Sequence, residues 1–319
     1  MVDDTLLMEA LDARVERRNH RRDFFKTMGA GAAVAIGGGL YLANAPGAVA
    51  QTAPTDQDIL NFALNLEYLE AQFYSFAVTG SGLPSNVLGG TGTPGPAQVT
   101  GGRQVNFTDP VVRQHALEIT ANENAHVNFV RNTLGSAAIA QPTLDLRVAV
   151  DSAFSMAARS AGLIGPNQVF DPYSSDENFL LGAFLLEDVG VTAYKGAAAL
   201  ISSKAILEAS AGILAVEAYH SAILRTNLYT KGLAAPSLMS ATEAISNARD
   251  SLDGPTNLDQ GVAMVNGASN IAPLDENAIA FGRTTGQVLN IAYLTRAAVS
   301  AGGFFPQGVN GPIRTSAAN

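Results

Sequence analysis

Cysteine is absent from the 319 residues, which excludes disulfides and leaves no cysteine for lipid attachment. Stability must therefore come from burial, and 47% hydrophobic composition over a chain of this length can build one sizeable core. Basic residues are few: 19 Lys and Arg stand against 28 Asp and Glu, for a formal charge of -9. Residues 1–50 carry six of each sign, so the excess lies wholly in the rest of the chain. That acidity argues against nucleic acid as a partner and suits the attraction of cations. No G-x-S-x-G elbow occurs, and a helical pattern supplies no parallel sheet to carry one, so a Ser/His/Asp hydrolase has no support. No Walker-type phosphate loop occurs either; the glycines between 89 and 102 are interrupted by Pro94 and Pro96 and read as loop. Long apolar runs are also missing. The stretch from Thr27 to Ala45 is broken by Gly29, Gly31, Gly37, Gly38 and Gly39, short of the roughly 20 unbroken apolar residues of a membrane-spanning helix.

That broken stretch follows Arg21, Arg22, Asp23, Phe24, Phe25 and Lys26, a twin-arginine run, and precedes an A-x-A pattern at Ala48 and Ala50. Residues 1–50 thus read as a removable export signal for the twin-arginine export machinery, with Gln51 as the mature start and a periplasmic or extracellular destination. Proteins on that route cross the membrane already folded.

Four long helices follow. Thr55 and Asp58 form a capping box before apolar residues at helical spacing, predicting a helix over 56–79 that stops at Gly80. Residues 80–107 are rich in Gly, Pro, Ser and Thr and predict a long surface loop. Asp109 and Pro110 open a second helix that Gly135 closes. A connection of about forty residues, with a short helix around Val148 to Ser160, leads to a third helix from Ser175 or Asp176 to near Ser202. The fourth follows at once, from about Lys204 to Tyr229 with Gly232 beyond it, so the third and fourth form an antiparallel hairpin. Residues 51–232 are the bundle. Residues 233–319 predict a C-terminal extension packed on it, with short helices over Ser237–Leu252 and Thr284–Thr295 and an extended end from Gly302 to Ile313.

Only three histidines lie beyond residue 50, and two of them close Glu-x-x-His, at Glu123 to His126 and Glu217 to His220. With ten glutamates and three histidines there, chance gives roughly 0.1 such pair. A separation of three inside a helix puts both side chains on one face, where they can share a metal ion. Counting from the turns supplies partners: Glu67 lies 13 residues before Gly80 and Glu123 lies 14 after Asp109, while Glu187 and Glu217 each lie 15 residues from Ser202. At 1.5 Å per residue, Glu67 and Glu123 both sit about 20 Å from the loop that joins their helices. Each hairpin therefore sets one carboxylate level with one Glu-x-x-His, the ligand set of a carboxylate-bridged two-metal centre. Tyr74 and Tyr194 each follow their glutamate by seven residues, two turns along the same face, and read as core tyrosines with satisfied hydroxyls beside the centre. Glu70, one turn from Glu67, is an alternative ligand, a neighbour of the ligands or a surface group; the tyrosine favours Glu67. His115 has no glutamate three before it and reads as structural. Glu118 and Asp188 stand near enough to hold a histidine ring N–H, although surface positions are the default for both.

The segment LNFALNLEYLEAQFY from Leu60 to Tyr74, Glu123-Asn-Ala-His126, Glu187, Glu217-Ala-Tyr-His220 and the tail from Thr284 to Asn310 resemble the ferritin-like superfamily. More narrowly, they are similar to exported ferritin-like proteins related to desiccation-associated proteins of plants and bacteria. The resemblance implies an all-α, antiparallel four-helix bundle with a long crossover between the second and third helices. It also implies that Glu67, Glu123, His126, Glu187, Glu217 and His220 hold two Fe or Mn ions, with Zn as a further option, and form the catalytic centre. A small oxidant, peroxide or dioxygen, is the expected partner, in a ferroxidase, peroxidase or catalase-like reaction under oxidative or desiccation stress. A stress-protection protein whose metal only staples the bundle is the alternative. The long first loop and the C-terminal extension depart from compact cage ferritins, and self-association into a homo-oligomer is compatible with the chain.

Overall fold

The computed structural model describes residues 53–319; the export signal expected over residues 1–50 lies outside the described residues. Among the described residues seven α-helices carry the fold: α1 Asp56–Thr79, α2 Pro110–Leu134, α3 Ala153–Ser160, α4 Asp176–Ala198, α5 Lys204–Ala234, α6 Pro236–Asp253 and α7 Thr285–Ala292. α1 packs on α2 and α4 on α5, and α1 meets α4 and α2 meets α5 to close the bundle. Among the described residues, no helix is long and apolar enough to cross a membrane.

Local chemistry sets the helix ends. The Thr55 hydroxyl accepts from the Asp58 N–H while the Asp58 carboxylate accepts from the Thr55 N–H, and α1 stops at Gly80 with φ at +74°. Asp109 accepts the N–H groups of Val111 and Val112 ahead of α2. Ser152, Ser175 and Ser203 cap α3, α4 and α5.

Several boundaries differ from those the sequence predicts. α3 starts at Ala153 because Ser152 is its cap, so Val148 to Asp151 stay outside it. α4 ends at Ala198 rather than near Ser202, because the Ser202 and Ser203 N–H groups donate to Asp56 at the start of α1, at 2.7 and 2.8 Å. α5 runs through Gly232 to Ala234. That glycine is a contact and not a stop: a Cβ there would lie 2.5 Å from Met239 Cγ of α6. α7 is shorter than Thr284–Thr295, since Leu294 adopts a left-handed φ of +55°.

The loop over residues 80–109 is not a free surface loop. Ala97–Gln98 (β1) pairs in parallel with Leu144–Asp145 (β2) of the crossover, Val87 and Val105 are buried, and the Tyr68 hydroxyl donates to the Val87 carbonyl at 2.6 Å. The end of the chain is also packed rather than extended. Phe304 and Phe305 are buried, the Phe304 ring meets Phe154 edge-on at 5.0 Å, and Asn310 exchanges two hydrogen bonds of 2.9 Å with the Asn65 side chain of α1. Covered by the loop, the crossover, the neighbouring helices and this tail, α1 is buried on every side from Ile59 to Tyr74.

A second tie is ionic. Asp188 of α4 accepts from Arg225 of α5 at 2.9 Å and from Arg249 of α6 at 3.0 Å. Arg249 also meets Asp259, and Arg283 meets both Asp253 and Asp259. All six side chains are buried.

Candidate metal centre

The four bundle helices bring Glu67 of α1, Glu123 and His126 of α2, Glu187 of α4, and Glu217 and His220 of α5 to one level in the core. The four carboxylates are fully buried, and the two imidazoles nearly so. His126 Nδ1 lies 3.4 Å from Glu67 Oε2, 3.6 Å from Glu123 Oε1 and 3.5 Å from Glu217 Oε1. His220 Nδ1 lies 2.9 Å from Glu123 Oε1 and 3.5 Å from Glu187 Oε2. Two four-residue groups result: Glu67, Glu123, His126 and Glu217, and Glu123, Glu187, Glu217 and His220. Within each group the ligand atoms lie within 4.8 Å of one another. Glu123 and Glu217 belong to both groups, and Glu67 and Glu187 each belong to one.

The donor atoms fit bound metal. Glu67 Oε2, both oxygens of Glu123 and of Glu217, Glu187 Oε2, and Nδ1 of His126 and His220 are all buried without a hydrogen-bond partner. Orphaned buried polar atoms are expensive, and here they face one another. Four carboxylates are also a charge that two divalent ions would neutralise. The field they set up is strong. Burial works against charged imidazoles, yet the surrounding carboxylates outweigh it, raising His220 to about 11 and His126 further still. Burial likewise pushes Glu123 up, but the imidazoles of His126 and His220 beside it overcome that and lower its carboxyl to about 2. Glu67 goes the other way, raised by burial and by Glu123 to about 7.

The tyrosines are exchanged between the hairpins. Tyr74, on the helix of Glu67, donates to Glu187 Oε1 at 2.6 Å, and Tyr194, on the helix of Glu187, donates to Glu67 Oε1. Each terminal carboxylate thus keeps one oxygen for a tyrosine and turns the other to the centre.

Glu70 is buried but belongs to neither ligand group. Burial, then the neighbouring Glu217, raises its carboxyl well above the usual range. His115 is half-buried on the Asn227 amide, at 2.9 Å. Glu118 is exposed and holds no histidine. Asp188 is neither on the surface nor on a histidine: its neighbours Arg225, Arg249 and Ser221 take it into the ionic tie. The outer nitrogen of a ligand imidazole is reached instead by Asn122, whose side-chain amide lies 3.1 Å from His220 Nε2. It sits immediately before Glu123, a position that offered no signal of its own.

The family described as Ferritin-like domain matches residues 55–230, a span that holds all six candidate ligands. A ferritin-like catalase of Nesocodon mauritianus is 29% identical over 274 residues, covering 81% of this chain and 84% of that protein. A desiccation-related protein of Craterostigma plantagineum is 30% identical over 278 residues, covering 81% of this chain and 83% of its own. No solved structure matches significantly.

Proposed function

Because the chain belongs to the ferritin-like family, we propose that it is an exported oxidoreductase whose six core ligands hold two Fe or Mn ions and that it consumes peroxide or dioxygen. The observation that carries this reading is the set of unpartnered oxygens and imidazole nitrogens converging from four helices. Glu67, Glu123 and His126 with Glu217 would hold one ion, and Glu187, Glu217 and His220 with Glu123 the other. Carboxylate and imidazole donors suit both metals, and Zn as a non-redox occupant. Bound there, a redox-active pair supplies electron exchange with an O–O substrate.

The protein's own part is positional. Tyr74 and Tyr194 fix the terminal carboxylates, the two shared glutamates set the spacing, and a dry surround excludes water from the centre. Similarity to a ferritin-like catalase supports peroxide as the substrate. The twin-arginine run supports export, which would make the protein a guardian of the envelope.

A second reading rests on the similarity to a desiccation-related protein: a stress-protection protein in which metal only staples the bundle. Elemental analysis of protein expressed with ample metal, followed by peroxide and dioxygen turnover, tests both. Two Fe or Mn per chain with turnover supports the enzyme; fewer than about one metal ion per chain sinks it. A Glu123→Ala, His220→Ala variant then separates the readings. Loss of turnover in a folded protein favours the enzyme, and a large fall in melting temperature where the parent shows no turnover favours the staple.

A further inference from the structure

Both ligand imidazoles turn Nδ1 inward, within 3.6 Å of the core carboxylates, and in both rings that atom is buried without a hydrogen-bond partner. A neutral imidazole that gives Nδ1 to a metal carries its proton on Nε2, and that N–H needs an acceptor to fix the ring. The outer nitrogens of the two rings meet different surroundings. Nε2 of His220 lies 3.1 Å from the Asn122 amide, and its side chain is 1% exposed. Nε2 of His126 bonds no other described residue, and its side chain, 10% exposed, is the most open of the six ligands. His220 is thus clasped by two consecutive residues of α2: Glu123 stands 2.9 Å from Nδ1, and Asn122 stands at the far edge of the ring. The Asn122 amide has no other hydrogen-bond partner among the described residues, so nothing else dictates which of its ends faces the imidazole.

We propose that Asn122 is the positioning residue of His220, that it presents Oδ1 to the Nε2–H of that ring so that Nδ1 is left for metal, and that this makes the His220 half of the centre hold its ion more tightly than the His126 half. The inference rests on the two-ion reading and makes its halves unequal. The nitrogen and oxygen of an amide exchange places by a half-turn about its last bond, so the bonding partner decides the orientation. With the proton on Nε2, only the oxygen can accept it. His126, with no protein acceptor at its outer edge, keeps more freedom to turn and to exchange its proton with water. A ring already held at its outer nitrogen loses less freedom when an ion arrives, and it yields the ion less readily.

The test uses the full protein loaded with Zn, which is diamagnetic and suits the same donors. Elemental analysis comes first: a loaded parent with fewer than two ions per chain removes the two-ion reading, and this inference with it. Chelator competition should then release the two ions in separate steps. Asn122→Leu, which keeps the size and removes the acceptor, should weaken the tighter step about 10–100-fold and leave the weaker step within about twofold. Asn122→Asp, which keeps an acceptor, should hold the tighter ion within about threefold of the parent or better. Nitrogen-15 NMR of histidine-labelled protein supplies a readout that packing alone would not move. One ligand Nε2–H should exchange slowly with water in the parent, and Asn122→Leu should abolish that protection. Two ions that leave the parent in one step, or an Asn122→Leu protein unchanged at both steps, overturns the inference and leaves the two-ion reading standing. If Asn122→Leu does not fold, Asn122→Asp decides alone, because a larger loss of the tighter ion there means that the acceptor is not what holds it.

Discussion

Replacing Arg249 with Met should destabilise the protein far more than the loss of an ordinary surface charge. The guanidinium is buried, lies over the Phe184 ring at 4.7 Å, and donates to the Phe184 carbonyl at 2.7 Å, to Asp188 at 3.0 Å and to Asp259 at 2.7 Å. Methionine keeps much of the stem's packing and removes every one of these donors. Removing one partner from a buried ion pair costs about 3–5 kcal/mol, because the other charge stays buried. Asp188 retains Arg225 and Asp259 retains Arg283, which places this case near the lower end. For a domain of this size each kcal/mol lowers the melting temperature by about 2–4 °C, so a fall of about 6–12 °C is expected. Scanning calorimetry of the metal-loaded variant at pH 7 measures it. Acid adds a second readout. Burial raises Asp188, but Arg225 and Arg249 outweigh it and hold its carboxyl below the usual range. A lowered carboxyl contributes stability that is present above its unfolded value near 3.9 and is lost as pH falls through the folded one. Without Arg249 that loss begins at higher pH, and the acid-unfolding midpoint moves up. A melting temperature within 2 °C of the parent, or an unmoved acid midpoint, would refute the view that this network carries stability.

The stabilisation gained on metal loading should grow as pH rises from about 4.5 to 7, because burial raises Glu67 to about 7 and metal-free protein loses stability as the unfolded chain's carboxyl ionises while the folded one still holds its proton. Calorimetry of loaded and chelator-treated protein across that window measures the difference, and a flat difference counts against it. Tyr194→Phe strips Glu67 of its hydroxyl partner and should weaken metal retention about 10–100-fold in chelator competition; Tyr74→Phe should do the same through Glu187. Retention within twofold would show the tyrosines to be bystanders. Gly196→Ala would bring a Cβ within 1.8 Å of the Arg283 carbonyl oxygen. It should cost at least about 1–3 kcal/mol in urea unfolding, and a neutral result would mean that the contact yields freely. N-terminal sequencing of protein recovered from outside the cytoplasm should begin at Gln51, and an intact Met1 there would remove the cleaved signal.

The parts of the molecule that the sequence discloses are those written in local chemistry. Caps at Thr55, Asp109 and Ser175 mark helix starts because a side-chain oxygen must meet an orphan N–H within three residues. Glu67, Glu123, Glu187 and Glu217 converge because helix rise turns residue counts into height, so turns at Gly80 and Ser202 suffice to level them. Height, however, says nothing of rotation about the bundle. The spacing of seven pairs Tyr74 with Glu67, whereas the fold delivers its hydroxyl to Glu187 across the interface. Asp188 looks like a surface residue because its cations, Arg225 and Arg249, are 37 and 61 residues away. Gly232 reads as a helix stop because glycine has both uses, and only the approach of Met239 chooses between them. The Gly/Pro-rich stretch after Gly80 reads as surface for want of any local sign that Leu144 would pair with Ala97.

The bond between Asn65 and Asn310 spans 245 positions and has a consequence in time rather than space. Asn65 stands two residues before Glu67, so the first ligand helix receives its last hydrogen-bonding partner only when almost the whole chain has been synthesised. Until then the apolar face of α1 that Phe304 and α7 later cover is open to water, and one wall of the charged core with it. Contacts of such long sequence separation form late and slow a chain's arrival at its native state. A nascent copy truncated before residue 310 would carry all six ligands and still lack the closed shell around them.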